Sequence, residues 1–200
     1  MSLSQLEYAK DNGVKRVIAT PHFYPNVHYV DAFLEKRRAA YERLLSSFPE
    51  GMPEIRLGAE VLICENIHNI EQLDELCVEG TKTLLLELPK ENLGFDFTST
   101  ILELTERGYS VVLAHADRYH FADVQRLVDV GAKVQLNASA LVSIFTKPTY
   151  RKWMDDKSLV AIGSDIHHTD KKAYKNFKKA VNKLGSYAEY IEKFSEKYWI

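Results

Sequence analysis

An α/β fold built on a parallel sheet is predicted by two features of the sequence. Six short apolar runs alternate with segments of helical periodicity, the pattern of repeated strand–helix units. Histidines, carboxylates and an asparagine stand at or near the C-terminal end of each run, the end at which a β/α barrel gathers side chains from several strands on one face. Two hundred residues lie within the range of one such barrel, so a single domain over 1–200 is expected.

The elements follow in order. Ser4 to Asn12 predict the end of a helix closed by Gly13, and a helix with no strand before it implies an absent first element. Val14 to Thr20 form the first strand, followed by Pro21-His22-Phe23-Tyr24 and a long helix from about Tyr29 to Phe48. Ile55 to Ile63 form the second strand, with Glu60 in an otherwise apolar setting. Buried carboxylates are rare unless paired or coordinated. Asn66 to Leu76 predict a short helix, and Thr83 to Leu88 a third strand in which Glu87 repeats the anomaly. A helix from Phe97 to Arg107 ends at Gly108; the strand Tyr109 to Ala114 then leads into His115-Ala116-Asp117-Arg118-Tyr119. His120 to Val130 are helical up to Gly131, and Lys133 to Leu136 form a fifth strand ending at Asn137. A helical region broken near Pro148 precedes the sixth strand, Leu159 to Ile162. The small-residue turn Gly163-Ser164 then delivers Asp165 and His167, and helices over Lys171 to Leu184 and Tyr187 to Tyr198 close the chain.

Composition excludes several function classes. A net charge of -2, with basic and acidic residues mixed along most of the chain, suggests no electrostatic footprint for nucleic acid. No apolar stretch approaches the roughly 20 residues that span a bilayer, and no signal peptide opens the chain, so a cytoplasmic protein is expected. Cys64 and Cys77 are too few for a disulfide framework. A thiolate phosphatase needs an arginine six residues after its cysteine, and those positions hold Ile70 and Thr83. Neither a Gly-x-Gly-x-x-Gly nor a Walker loop follows any strand.

His22, Glu60, Glu87, His115, Asn137, Asp165 and His167 therefore converge, if the strands are parallel, on one face. Carboxylates and imidazoles crowded there require cations between them, and mixed oxygen and nitrogen donors suit Mn, Fe or Zn. T-P-H, G-A-E, L-L-L-E, A-H-x-x-R-Y, L-N-A-S and G-S-D-x-H, in this order from about residue 4 to about residue 172, resemble the polymerase and histidinol phosphatase (PHP) superfamily. Within it they are most similar to the CpsB/CapC branch, metal-dependent protein-tyrosine phosphatases of capsular and extracellular polysaccharide operons.

The resemblance implies a distorted (β/α)7 barrel holding two to three divalent ions, Mn first among them. Glu60 would bridge two metals, Glu87 and His115 complete one, Asp165 bind another, and His22 with His167 hold a third. Arg118 would grip the substrate phosphate, as a planar guanidinium can with two oxygens. Asp117 would orient Arg118 or serve as general acid, and Lys172 is the nearest match to a basic residue that follows the D-x-H motif in the family. Hydrolysis would proceed by metal-activated water without a phosphoenzyme, on phosphotyrosine of a polysaccharide-operon autokinase. Family members begin with an H-x-H strand, whereas the earliest histidine here is His22. The expected barrel thus lacks its first strand, Asp165 lacks two co-ligands, and the edge at Val14 to Thr20 offers a motive for self-association. Two alternatives remain open at this point: a small-molecule phosphatase of the histidinol-phosphate type, and a catalytically impaired module that binds metal or a partner.

Overall fold

The computed structural model describes residues 3–90, 96–142, 148–166 and 171–199. All strand pairs are parallel. β1 (Arg16–Ala19) pairs with β3 (Glu54–Leu57), and six strands form a second ladder in the order β2 (His22–Phe23), β4 (Glu60–Leu62), β5 (Thr83–Glu87), β6 (Ser110–Leu113), β7 (Lys133–Asn137) and β8 (Leu159–Gly163). The two ladders are one. Arg16 faces Glu54 and His22 faces Glu60, the same offset, and backbone bonds from Gly58 N to Ala19 O (3.0 Å) and from Glu60 N to Pro21 O (3.1 Å) cross the gap. Pro21 carries no N–H and cannot donate to a ladder, which divides the expected first and second strands into two pieces each. His22 is consequently a strand residue rather than part of the loop expected after the first strand.

The sheet is curved. Side chains from strands two places apart, about 9.5 Å between backbones, meet on one face: His115 follows β6 yet lies 3.1 Å from Glu60 of β4. The strands thus form a curled parallel sheet, and among the described residues no ladder joins β8 to β1. Alternation along β5 separates its layers. Leu84 and Leu86 face the helices, whereas Leu85 lies on the other face with Val112, Ala114 and Val160.

Helices α1 (Leu3–Asp11), α2 (Val30–Leu45), α3 (Thr98–Glu106), α4 (Phe121–Asp129), α5 (Ala138–Val142), α6 (Pro148–Asp155), α7 (Lys171–Leu184) and α8 (Tyr187–Tyr198) complete the chain. Ile101 and Leu104 of α3, Val124 of α4, Trp153 of α6 and Ala180 and Leu184 of α7 share the outer core with Leu84 and Leu86. Gly13, Gly108 and Gly131 stop their helices with positive φ, as their positions in the sequence predict. The helical region expected to break near Pro148 forms two helices, α5 and α6, and Pro148 begins the second, where its missing N–H costs nothing. The helix expected over Asn66 to Leu76 is instead two single 3-10 turns, Ile67–Asn69 and Leu73–Leu76. Asn66 and Gln72 are left-handed and Ile70 is extended, which prevents one helix from running through. The remaining boundaries differ from expectation by one to a few residues of fraying.

α8 seals the inner layer. Phe194 and Trp199 pack with Val78, Leu85, Val112 and Val160, and the Thr83 hydroxyl donates to the Tyr198 carbonyl.

Candidate metal centre

Strands β2, β4 and β5 and the turn after β6 place two carboxylates and two imidazoles together. The pairing His22 with Glu60 and Leu62 with Glu87 puts these three site residues on the concave face. His22 Nδ1 lies 3.4 Å from Glu60 Oε1 and 3.5 Å from Glu87 Oε2. His115 Nε2 lies 3.1 Å from Glu60 Oε1 and 3.6 Å from Glu87 Oε1. His22, Glu60 and Glu87 each offer one ligand atom, and these atoms fall within 4.8 Å of one another. Both carboxylate residues are 8% exposed and His115 is 2% exposed.

The hydrogen bonds around His115 test whether a cation fits. The Tyr119 hydroxyl donates to the Leu88 carbonyl (2.9 Å) and stands 3.3 Å from His115 Nδ1. With its proton committed to Leu88, the tyrosine oxygen is left to accept Nδ1–H, which leaves Nε2 as a lone pair aimed at two carboxylates. Three electron-rich atoms converge where only a proton or a metal ion can reconcile them. Burial, then the nearby Glu87, raises the Tyr119 phenol well above its ordinary value and keeps it a donor. The donor set therefore fits a divalent ion, and a histidine held through its other nitrogen is the usual arrangement of a metal ligand.

Backbone geometry serves the same end. His115 and Asp165 both adopt left-handed φ, +33° and +48°, a costly conformation for non-glycine residues that occurs at functional sites. The Gln135 side-chain oxygen accepts the His115 backbone N–H at 3.2 Å. An irregularity in the β7–β8 register between Val134 and Gln135 accompanies that contact. Gly163 makes room for it, since a Cβ there would lie 2.9 Å from Gln135 Cδ.

Asp165 is placed beside Arg118, whose Nη2 pairs with its Oδ2; the arginine side chain is 45% exposed. Asp117 accepts from the Asn137 backbone N–H at 2.7 Å and from its side-chain amide at 3.4 Å. It thereby anchors the turn Ala116–Arg118 to the end of β7. His167 and the side chain of Lys172 lie outside the described residues. Beside Arg118 opens a cleft of about 180 Å³ with Leu88, Phe97, Tyr119 and Leu127 in its wall and Lys90 and Arg126 among its polar lining.

Two contributors, Gln135 and Tyr119, escaped the sequence reading. Gln135 stands two residues before Asn137 and so shares its face, the one signal that could have exposed it. Tyr119 follows His115 by four residues inside a motif already singled out. Tyr24 stacks on His22 with ring centroids 5.7 Å apart and planes at 11°. Phe23, by contrast, is core, edge-on to Phe33. His28 is half-buried against Phe23, Tyr24 and Phe33, and its Nδ1 accepts the Tyr24 N–H. Cys77 is buried, its thiol pushed up to about 12 by desolvation first, and Cys64 is raised in the same way, so neither is poised as a nucleophile.

The chain is similar to known proteins. The profile described as capsular polysaccharide synthesis, CpsB/CapC, matches residues 1–196. CapC of Staphylococcus aureus is 26% identical over 209 residues, covering 96% of this chain and 80% of that protein. The tyrosine-protein phosphatase YwqE of Bacillus subtilis is 26% identical over 159 residues, covering 73% of this chain and 60% of YwqE. Among solved structures, one from the pair YwqE and CpsB of Streptococcus pneumoniae, described as metal-dependent tyrosine phosphatases, superposes with a TM-score of 0.76. That match has 19% identity and covers 98% of this chain and 84% of the other.

Proposed function

We propose that this chain, which belongs to the CpsB/CapC family of capsular polysaccharide synthesis, is a metal-dependent phosphatase that hydrolyses phosphotyrosine in proteins. The observation that carries the reading is the buried pair Glu60 and Glu87 faced by His22 Nδ1 and His115 Nε2 within 3.1 to 3.6 Å. His22, Glu60, Glu87 and His115 would hold divalent ions, Mn first among them, and Asp165 with His167 would extend the set to two or three ions. Such ions supply Lewis acidity and lower the pKa of bound water.

The chain's own groups do the rest. Arg118 is long, partly exposed and paired with Asp165; with Asp165 turned to a metal ion, its guanidinium would be released to bind two oxygens of a phosphoryl group. Asp117 and Asn137 hold the turn that aims it. Tyr24 limits the swing of His22, and Tyr119 fixes the tautomer of His115. The apolar wall of the adjoining cleft suits an aryl leaving group better than a polar metabolite. Lys172, the second residue of α7, follows the D-x-H segment in the chain and would add a point charge for the phosphate. We assign the reaction to a single domain acting in the cytoplasm on the tyrosine autokinase of a polysaccharide operon.

Turnover of a phosphotyrosine peptide and of histidinol phosphate, each measured after chelation and after Mn addition, tests the reading. Peptide turnover should vanish with chelator and return with Mn, and Arg118→Ala should lower kcat/KM by about 100- to 1,000-fold. Turnover of the metabolite alone would overturn the protein substrate. Metal uptake with no turnover of either compound would assign the chain to the impaired binding module.

A further inference from the structure

We propose that the lysine face of α7 is a peripheral docking surface for an anionic lipid bilayer, which holds the mouth of the candidate metal centre beside the membrane. α7 reads KKAYKNFKKAVNKL, with six lysines and no acidic residue. A chain of net charge -2 therefore carries -8 outside this one helix. At about 100° per residue the six lysines fall within an arc of about 140°, joined by Asn182.

The opposite arc is already occupied. Ala180 and Leu184 are buried in the outer core and Phe177 packs against it. Tyr174 meets Tyr8 of α1 at 5.4 Å, and its hydroxyl donates to the Gln5 carbonyl at 3.2 Å. Packing thus fixes which side of α7 faces outward, and Lys175, Lys178 and Lys179 are exposed there. None of these three forms an ion pair among the described residues.

Such a helix works against itself. Lys175 with Lys179 and Lys179 with Lys183 are like-charge pairs four residues apart, which repel. Lys171 and Lys172 also occupy the first turn, where the helix dipole disfavours cations. An external anion relieves both costs. The chemistry of the face indicates which one. Lysine presents a hydrated point charge on a flexible stem, whereas recognition of a phosphorylated or acidic peptide favours the planar fork of arginine, which α7 lacks. A convex strip about 18 Å long, from Lys171 to Lys183, matches a diffuse negative surface.

Location gives the contact a purpose. α7 starts six residues after Asp165 in the chain and packs against α5, the helix that follows Asn137 at the end of β7. Among the described residues no helix is long and apolar enough to cross a membrane, so the attachment is electrostatic and salt-sensitive.

Flotation of the full chain with vesicles tests the proposal, using phosphatidylcholine alone and phosphatidylcholine mixed with phosphatidylglycerol. Binding should occur only with the mixed vesicles and be released by added salt. The triple variant K175Q/K178Q/K179Q should bind about 100-fold more weakly, K175R/K178R/K179R should bind as the parent does, and both should keep the parent's far-ultraviolet dichroism and turnover of a soluble aryl phosphate. No binding to mixed vesicles, or equal binding by the glutamine variant, overturns the proposal. Capture of soluble polyglutamate in preference to mixed vesicles assigns the face to an acidic protein instead and overturns it equally. Vesicle binding is read without turnover, so this outcome is independent of the phosphatase reading.

Discussion

Glu60 and Glu87 keep 8% of their surface in solvent and share the same two imidazole neighbours. Without a cation between them, two buried carboxylates repel and lose hydration, so each destabilises the chain that it equips. A single-atom change separates the two effects. Glu87→Gln should raise the melting temperature of chelator-treated protein, because one charge is gone and an amide donor replaces it. The same variant should lose about 100-fold or more in metal affinity and the thermal stabilisation that metal gives. Calorimetry with and without Mn, together with metal analysis of the dialysed protein, reads both. A lower melting temperature in chelator would mean that the carboxylate is held by protein donors and not reserved for a cation. Glu60 and Glu87 were legible as anomalies in the sequence because carboxylates in apolar runs are rare. Tyr119 was not, since an aromatic residue near a histidine is more often packing than tuning.

At the scale of elements, the ends of β6, β7 and β8 act as one support. Gln135 of β7 holds the His115 backbone after β6, and Gly163 of β8 leaves space for Gln135. Gly163→Ala places a methyl 2.9 Å from the far end of a flexible side chain, which can swing aside. The substitution should therefore cost less than about 1 kcal/mol of stability while lowering kcat/KM about tenfold, because His115 loses the bond that sustains its left-handed backbone. Gln135→Ala should reproduce this loss, and the double variant should add little to either. Urea unfolding beside kinetics on an aryl phosphate checks the split; additive losses would dissociate the two residues. Six strand regions were legible from apolar runs, and the helix stops from glycine. The break at Pro21 and the two 3-10 turns were not, because they depend on how neighbouring strands and turns meet. Helical periodicity over Asn66 to Leu76 reports which face is buried, and two short turns can bury the same residues, Ile67, Leu73 and Leu76.

For the whole molecule, burial sets an alkaline limit. The Cys77 thiol rises from 9.0 to about 12, chiefly by desolvation, and Tyr119 and Tyr187 are raised from 10.0, again by desolvation first. A folded pKa above the unfolded one means that the unfolded chain releases protons first. The contribution is intact below pH 9 and declines as pH climbs toward 12. Below pH 9 the thiols should add no pH dependence to the urea midpoints, and the double variant Cys64→Ala/Cys77→Ala should delay the start of the decline from about 9 to about 10, where the tyrosines begin. An unchanged onset would remove the thiols from the account. Local information was enough for the α/β class, the strand regions and the chemical types at their ends: apolar periodicity, turn residues and the rarity of buried carboxylates all act within a few residues. The meeting of those ends was a matter of curvature and register, which bring His115 within 3.1 Å of a glutamate 55 positions earlier in the chain and aim its Nε2 at two carboxylates. Distances of that kind arise from the summed twist of many strand pairs and the helices packed behind them, and no short stretch of sequence contains that sum.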